Sequence, residues 1–172
     1  MPSVLILSDS HGWTKEVEVI KQRHISDVDK LIHCGDSELM YDSKELEHFQ
    51  TVAGNCDMDA RFPNELNFDN NGLTFFVTHG HLFQVKSTLT KLSYRAEELG
   101  ANVICFGHSH FAGAEKIENQ LFINPGSIRL PRGRTEGTYV ILSWDEVKQI
   151  KVEYFDLNGQ RIEALTYQTD LI

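Results

Sequence analysis

Val4-Leu5-Ile6-Leu7-Ser8-Asp9-Ser10-His11 is the stretch from which the rest of the chain can be read. Four aliphatic residues in a row, bounded by a polar turn, predict a short strand buried on both faces. A carboxylate and an imidazole follow at its carboxyl end. The pattern returns along the chain. Leu31–Cys34 leads into Gly35-Asp36, and Thr51–Ala53 into Gly54-Asn55-Cys56-Asp57. Thr74–Thr78 leads into His79-Gly80-His81, and Val103–Phe106 into Gly107-His108-Ser109-His110. Ends of neighbouring strands lie side by side, so these loops are expected to meet on one rim, where α/β folds carry their sites. Carboxylates crowded there call for cations to neutralise them.

Between these strands the spacing changes to that of helices. Trp13–Arg23 places Val17 and Ile20 on one face, and Ser87–Leu99 places Leu89, Leu92, Ala96 and Leu99 on one face before Gly100. Ser43–Phe49 reads as a short helix, and Phe62–Phe68, interrupted by Pro63, as irregular. Asn70-Asn71-Gly72 is a turn signal. The last third is β-rich, with Leu121–Asn124, Thr138–Ser143 and Val147–Phe155 as strands and Asp145-Glu146 as a hairpin turn. Mixed α/β followed by β predicts two stacked sheets with helices outside.

Composition narrows the function classes. A chain of 172 residues, 41% hydrophobic and 24% charged, fits one domain over residues 1–172. A net charge of −9 argues against nucleic acid or an anionic membrane as a broad electrostatic partner. No apolar run reaches membrane-spanning length, and the start of the chain lacks a basic region followed by an apolar stretch, so a cytoplasmic protein is expected. Cys34, Cys56 and Cys105 show no paired spacing, which predicts no disulfide framework.

The ordered set Asp9-x-His11, Gly35-Asp36, Gly54-Asn55-x-Asp57, His79-Gly80-His81 and Gly107-His108-x-His110 resembles the signature of the calcineurin-like metallophosphoesterases. Asn124-Pro125-Gly126-Ser127 is similar to a loop of the small YfcE-type phosphodiesterases, as is the short, uninterrupted chain. The resemblance implies a four-layer α/β sandwich. It implies two divalent metal ions, one held by Asp9, His11, Asp36 and His110, the other by Asp36, Asn55, His79 and His108, with Asp36 shared. Manganese is the leading expectation. Nickel, iron, cobalt and zinc also suit oxygen and nitrogen donors without an obligatory thiolate. The implied reaction is hydrolysis of a small phosphodiester by a hydroxide bridging cations roughly 3.5–4 Å apart, attacking phosphorus in line. Asn55 is expected to coordinate a metal and orient the phosphate, and Asp57 to position a neighbour.

The chain departs from larger members of that family at Cys56, where they carry a histidine that is a candidate proton donor. His81 is the substitute candidate, with a solvated loop residue or a partner of the ligands as the alternatives. His33 reads as a hydrogen-bonded structural residue, His24 and His48 as solvent-facing, and Cys34 and Cys105 as core thiols. Cys56 is a candidate reactive thiol without a histidine partner. Arg61 and Arg95 read as surface ion-pair residues, and Arg129, Arg132 and Arg134 as a solvated basic cluster, with a phosphate contact as the alternative. Two other functions stay open: a phosphomonoesterase on the same fold, and an interaction scaffold like the retromer subunit that resembles this subgroup. Self-association through an edge of the β-rich tail is a further possibility.

Overall fold

In the computed structural model, which describes residues 1–171, β1 (Ser3–Leu7) lies in the middle of a six-stranded sheet. On one side it pairs in parallel with β2 (Lys30–His33), and β2 with β3 (Phe49–Thr51). On the other it pairs antiparallel with β9 (Thr138–Trp144), followed by β10 (Gln149–Asp156) and β11 (Tyr167–Asp170). The second sheet has five strands in the order β4 (Glu65–Asn70), β5 (Leu73–Thr78), β6 (Val103–Cys105), β8 (Gln120–Asn124), β7 (Gly113–Ile117). β5, β6 and β8 run parallel.

Alternation along each strand sorts the apolar side chains into layers. Val4 and Ile6 point between the sheets and meet Phe75, Val77, Val103, Cys105, Leu121 and Ile123 from the second sheet. Leu5 and Leu7 point outward and pack with Val17 and Ile20 of α1 (Lys15–His24). On the other outer face Phe76, Ile104 and Phe122 meet Leu92 and Ala96 of α2 (Thr90–Glu98). The result is the expected four-layer sandwich. Strands covered on both faces have no polar side to show, which is why they read as unbroken apolar runs. No helix among the described residues is long and apolar enough to cross a membrane.

Some expectations are corrected. Ser43–Phe49 is not a helix. Only Lys44–Leu46 makes a single 3₁₀ turn, and Phe49–Thr51 is the edge strand β3. The buried Lys21 ammonium accounts for the turn: it donates to the carbonyls of Lys44, Glu45 and Glu47 at 3.0–3.4 Å. Phe62–Phe68 is irregular only at first, since Glu65 begins β4. Its antiparallel partner β5 returns through Asn71 and Gly72, both at positive φ (48° and 88°), as a two-residue type I′ hairpin requires. β7 and β11 are strands that the sequence pattern did not reveal. His24 is half-buried rather than solvent-facing, with Nε2 2.7 Å from the Tyr139 hydroxyl.

Candidate metal centre

The parallel strands β1, β2, β5 and β6 end at the same edge of the sandwich, and the loops that leave them meet there. Asp9 is fully buried, and its Oδ1 lies 3.1 Å from His110 Nε2, 3.7 Å from His11 Nε2 and 3.8 Å from His79 Nε2. Asp36 Oδ2 lies 3.2 Å from His79 Nε2 and 3.9 Å from His11 Nε2. Three triads bring their donor atoms within 4.8 Å of one another: Asp9-His11-His110, Asp9-Asp36-His79 and His11-Asp36-Cys56. Five of the seven expected ligands therefore converge directly. His108 stands at the margin, its ring centroid 5.1 Å from that of His79. Asn55 is exposed, and its amide donates to Cys56 Sγ at 3.6 Å rather than facing the carboxylates.

The backbone of these loops is unusual. Asp9, His11, Asp36, Glu38, His108 and His110 all have positive φ, between 41° and 70°. Side chains other than glycine rarely adopt this conformation, and its concentration at one rim marks strain held by the surrounding structure. Each turn redirects a short loop so that its donor points inward. The neighbouring glycines serve close approach. A Cβ at Gly54 would overlap Asp36 Oδ1, and one at Gly107 would overlap Ser8 Oγ and Asp9 Oδ2.

Hydrogen bonds select which atom of each donor faces the centre. Asp9 Oδ2 accepts from Ser8 Oγ (2.6 Å) and His108 N (3.2 Å), leaving Oδ1 to the interior. Asp36 Oδ1 accepts from Cys56 N (2.8 Å), leaving Oδ2. The Nδ1–H of His79 donates to the Cys34 carbonyl and that of His110 to the Leu130 carbonyl, both at 2.8 Å. Each ring therefore presents Nε2 inward as a lone pair. Asp57 fills the positioning role expected of it: its oxygens accept from the backbone N–H groups of Asp36 (2.8 Å), Glu38 (2.8 Å) and Gly54 (2.7 Å). Glu38, which no motif marked, takes the Nδ1–H of His11 at 2.6 Å.

Charges follow this arrangement. Burial pushes the Asp9 carboxyl up, but His11, His110, His79 and Ser8 outweigh it and hold the carboxyl well below the usual range. The neighbouring Asp9 carboxylate raises His11 to about 9, with Glu38 assisting against burial. Burial opposes a proton on His79, yet Asp36 and Asp9 raise it on balance. The field at this point favours positive charge, as a cation site must. Two buried atoms confirm the fit: Asp9 Oδ1 and His79 Nε2 have no hydrogen-bond partner. A buried carboxylate oxygen facing an imidazole lone pair is costly unless a cation lies between them. The donors present thus suit a divalent metal ion.

Other candidates separate clearly. His33 is fully buried, accepts from Gly35 N–H on Nδ1 (3.1 Å) and donates Nε2–H to Ser10 Oγ (2.8 Å), so it has no atom left for a metal. Partial desolvation of the Cys56 thiol, on an otherwise exposed residue, together with Asp36 pushes it up to about 11 and keeps it protonated, which disfavours a reactive thiolate. His81 lies near the centre, its ring 5.5 Å from His79 and 6.2 Å from His108, with Nδ1 buried and unpartnered.

Comparison with known proteins agrees with this geometry. Residues 3–147 match the calcineurin-like phosphoesterase superfamily domain. The chain belongs to that superfamily. It is 48% identical over 169 residues to the probable metallophosphoesterase YsnB of Bacillus subtilis, covering 98% of this chain and 99% of YsnB. A predicted phosphoesterase of Streptococcus pneumoniae has a similar structure, with a TM-score of 0.94, 34% identity, and coverage of 98% of this chain and 97% of that one. Phosphodiesterase YfcE of Escherichia coli is 31% identical over 121 residues, 66% of this chain and 59% of YfcE. At the level of the family, the chain is a metal-dependent phosphoester hydrolase.

Proposed function

We propose that residues 1–172 form one phosphodiesterase domain that hydrolyses a small phosphodiester with two divalent cations, manganese foremost. The observation that carries this is the buried pair Asp9 Oδ1 and His79 Nε2, left without partners amid a ring of oriented donors. The proposed ligands are Asp9, His11, Asp36 and His110 for one ion, and Asp36, Asn55, His79 and His108 for the other. When bound, the ions supply Lewis acidity, which acidifies water and neutralises charge on the phosphoryl group. Asp36 is suited to be shared because its carboxylate stands between His11 and His79. Asn55 would have to turn from Cys56 towards the centre, where its amide can also hold a phosphoryl oxygen. Burial, with His79 close by, lowers the pKa of His81. A neutral ring can donate N–H to a phosphoryl oxygen but is a poor store of protons for a leaving group, so His81 is assigned the first role.

The presence of the full imidazole set supports an enzyme over an interaction scaffold. The test uses bis(4-nitrophenyl) phosphate and 4-nitrophenyl phosphate side by side. The expected result is turnover of the diester with Mn²⁺, abolished by a chelator and restored by the ion. Preference for the monoester would replace the diester assignment. A folded, metal-loaded protein that cleaves neither would end it.

A further inference from the structure

The chain carries a net charge of −9, yet one wall beside the centre carries three arginines. The loop that follows β8 bears Arg129, Arg132 and Arg134. Arg134 is neutralised by Glu136 at 2.7 Å. Arg129 is committed to the wall itself: its guanidinium lies 5.5 Å from the Trp13 ring centroid and donates to the His11 carbonyl. Arg132 differs. Its backbone N–H donates to the His110 carbonyl at 3.1 Å, which ties the residue to the ligand-bearing loop. Its guanidinium has no carboxylate or hydrogen-bond partner among the described residues, whereas Arg134 and Lys116 both do.

Arg132 shares a recess of about 340 Å³ with Lys86, and Val85, Ser109 and Phe111 complete its lining. No carboxylate contributes to it, and Lys86 also lacks an acidic partner among the described residues. Ser109 stands between His108 and His110 in the chain, so the recess adjoins the centre. Its Oγ accepts from Asn124 Nδ2 at 2.9 Å, which leaves the O–H free to donate. Phe111 is 54% exposed and rests on Gly133, where a Cβ would come within 3.1 Å of the ring. Both cations are exposed at this recess, and like charges lining one recess repel each other. A fork of N–H groups, an ammonium and a hydroxyl together match the oxygens of a phosphate.

We propose that the recess between Lys86 and Arg132 binds a second phosphate, carried on one arm of the substrate. The substrate class becomes a phosphodiester whose alcohol bears a further phosphate monoester. This rests on the phosphodiesterase reading, but its test does not depend on turnover. Binding of adenosine 3′,5′-bisphosphate and of adenosine 5′-monophosphate to the Mn²⁺-loaded protein is compared by calorimetry. The bisphosphate is expected to bind at least about tenfold more tightly, the scale of a single charge-assisted contact. The double variant Lys86→Ala, Arg132→Ala should bring the ratio close to one, while Arg132→Lys should keep part of the preference. Equal affinities in the parent, no measurable binding of the bisphosphate, or a ratio unchanged in the double variant would each overturn the proposal. Failure of the diesterase reading looks different: no cleavage of bis(4-nitrophenyl) phosphate, with the bisphosphate preference intact.

Discussion

The loops after β1 and β2 bring both carboxylates to the centre, Asp9 and Asp36, with one imidazole, His11, whereas those after β5 and β6 bring imidazoles alone, His79, His108 and His110. The two halves are held in opposite ways. A carboxylate only accepts, so the first half is fixed by donors: Cys56 N to Asp36, and Ser8 Oγ with His108 N to Asp9. A neutral imidazole has one N–H to give, so the second half is aimed by carbonyls, Cys34 for His79 and Leu130 for His110. Two of these partners cross between the halves. Cys34 directly follows β2 of the first sheet and fixes a histidine of the second, while His108 N fixes a carboxylate of the first. Two of the three donor triads draw on both halves, since Asp9 meets His110 and Asp36 meets His79, which makes the centre a property of the sheet pair.

The largest effect should come from the acidic half. Asp36→Asn is expected to lower Mn²⁺-dependent diester turnover at least about a hundredfold, because a main electrostatic element is lost. Steady-state rates against bis(4-nitrophenyl) phosphate measure this, and a near-parental rate would remove Asp36 from the mechanism.

His33 sharpens the contrast, since it is an imidazole on the acidic side that aims nothing inward. Burial depresses its pKa from 6.5 to about 4, so the unfolded chain takes up a proton that the folded chain refuses. Its stabilising contribution is full above pH 6.5 and lost as pH falls towards 4, on the order of 3 kcal/mol across the window. Urea unfolding of the parent and His33→Gln at several pH values should show the gap between them closing over that range. A constant gap would contradict it.

Asp57 tests whether the carboxylates need their backbone cradle. Asp57→Asn should weaken Mn²⁺ binding by about ten- to hundredfold, as loss of a residue that orients ligands commonly does. Calorimetric titration reads this directly, and unchanged affinity would mean that the Asp36 loop holds itself.

The smallest expected effect is at His81. His81→Ala should reduce turnover by about tenfold, the scale of one lost hydrogen bond to a charged oxygen, for diesters of any leaving group. A loss that grows as the leaving group becomes more basic would instead make His81 a proton donor.

The donor positions were legible because each follows a strand buried on both faces, and such strands announce themselves as apolar runs: Val4–Leu7, Leu31–Cys34, Val103–Phe106. β3, β4, β7 and β11 carry weaker patterns. Each is short or at an edge, with residues exposed to solvent, and its strand character comes from the neighbour it pairs with. Ser43–Phe49 misled for the same reason, and the strand expected at Thr51–Ala53 lies two residues earlier, at Phe49–Thr51, where β2 offers a partner. Glu38 and the recess at Arg132 carried no motif.

By itself, then, the sequence determined which chemical groups sit at strand ends, and in what order, because strand periodicity and loop composition are local properties. Only the tertiary structure decided which oxygen of Asp9 and Asp36 and which nitrogen of His79 and His110 turn inward. Ser8 apart, those choices are made by hydrogen-bond partners 20 to 99 residues away, which no local pattern encodes. The tertiary structure also tied Arg132 to the ligand-bearing loop through the His110 carbonyl, whereas Arg134 meets its counter-charge locally, two residues on at Glu136.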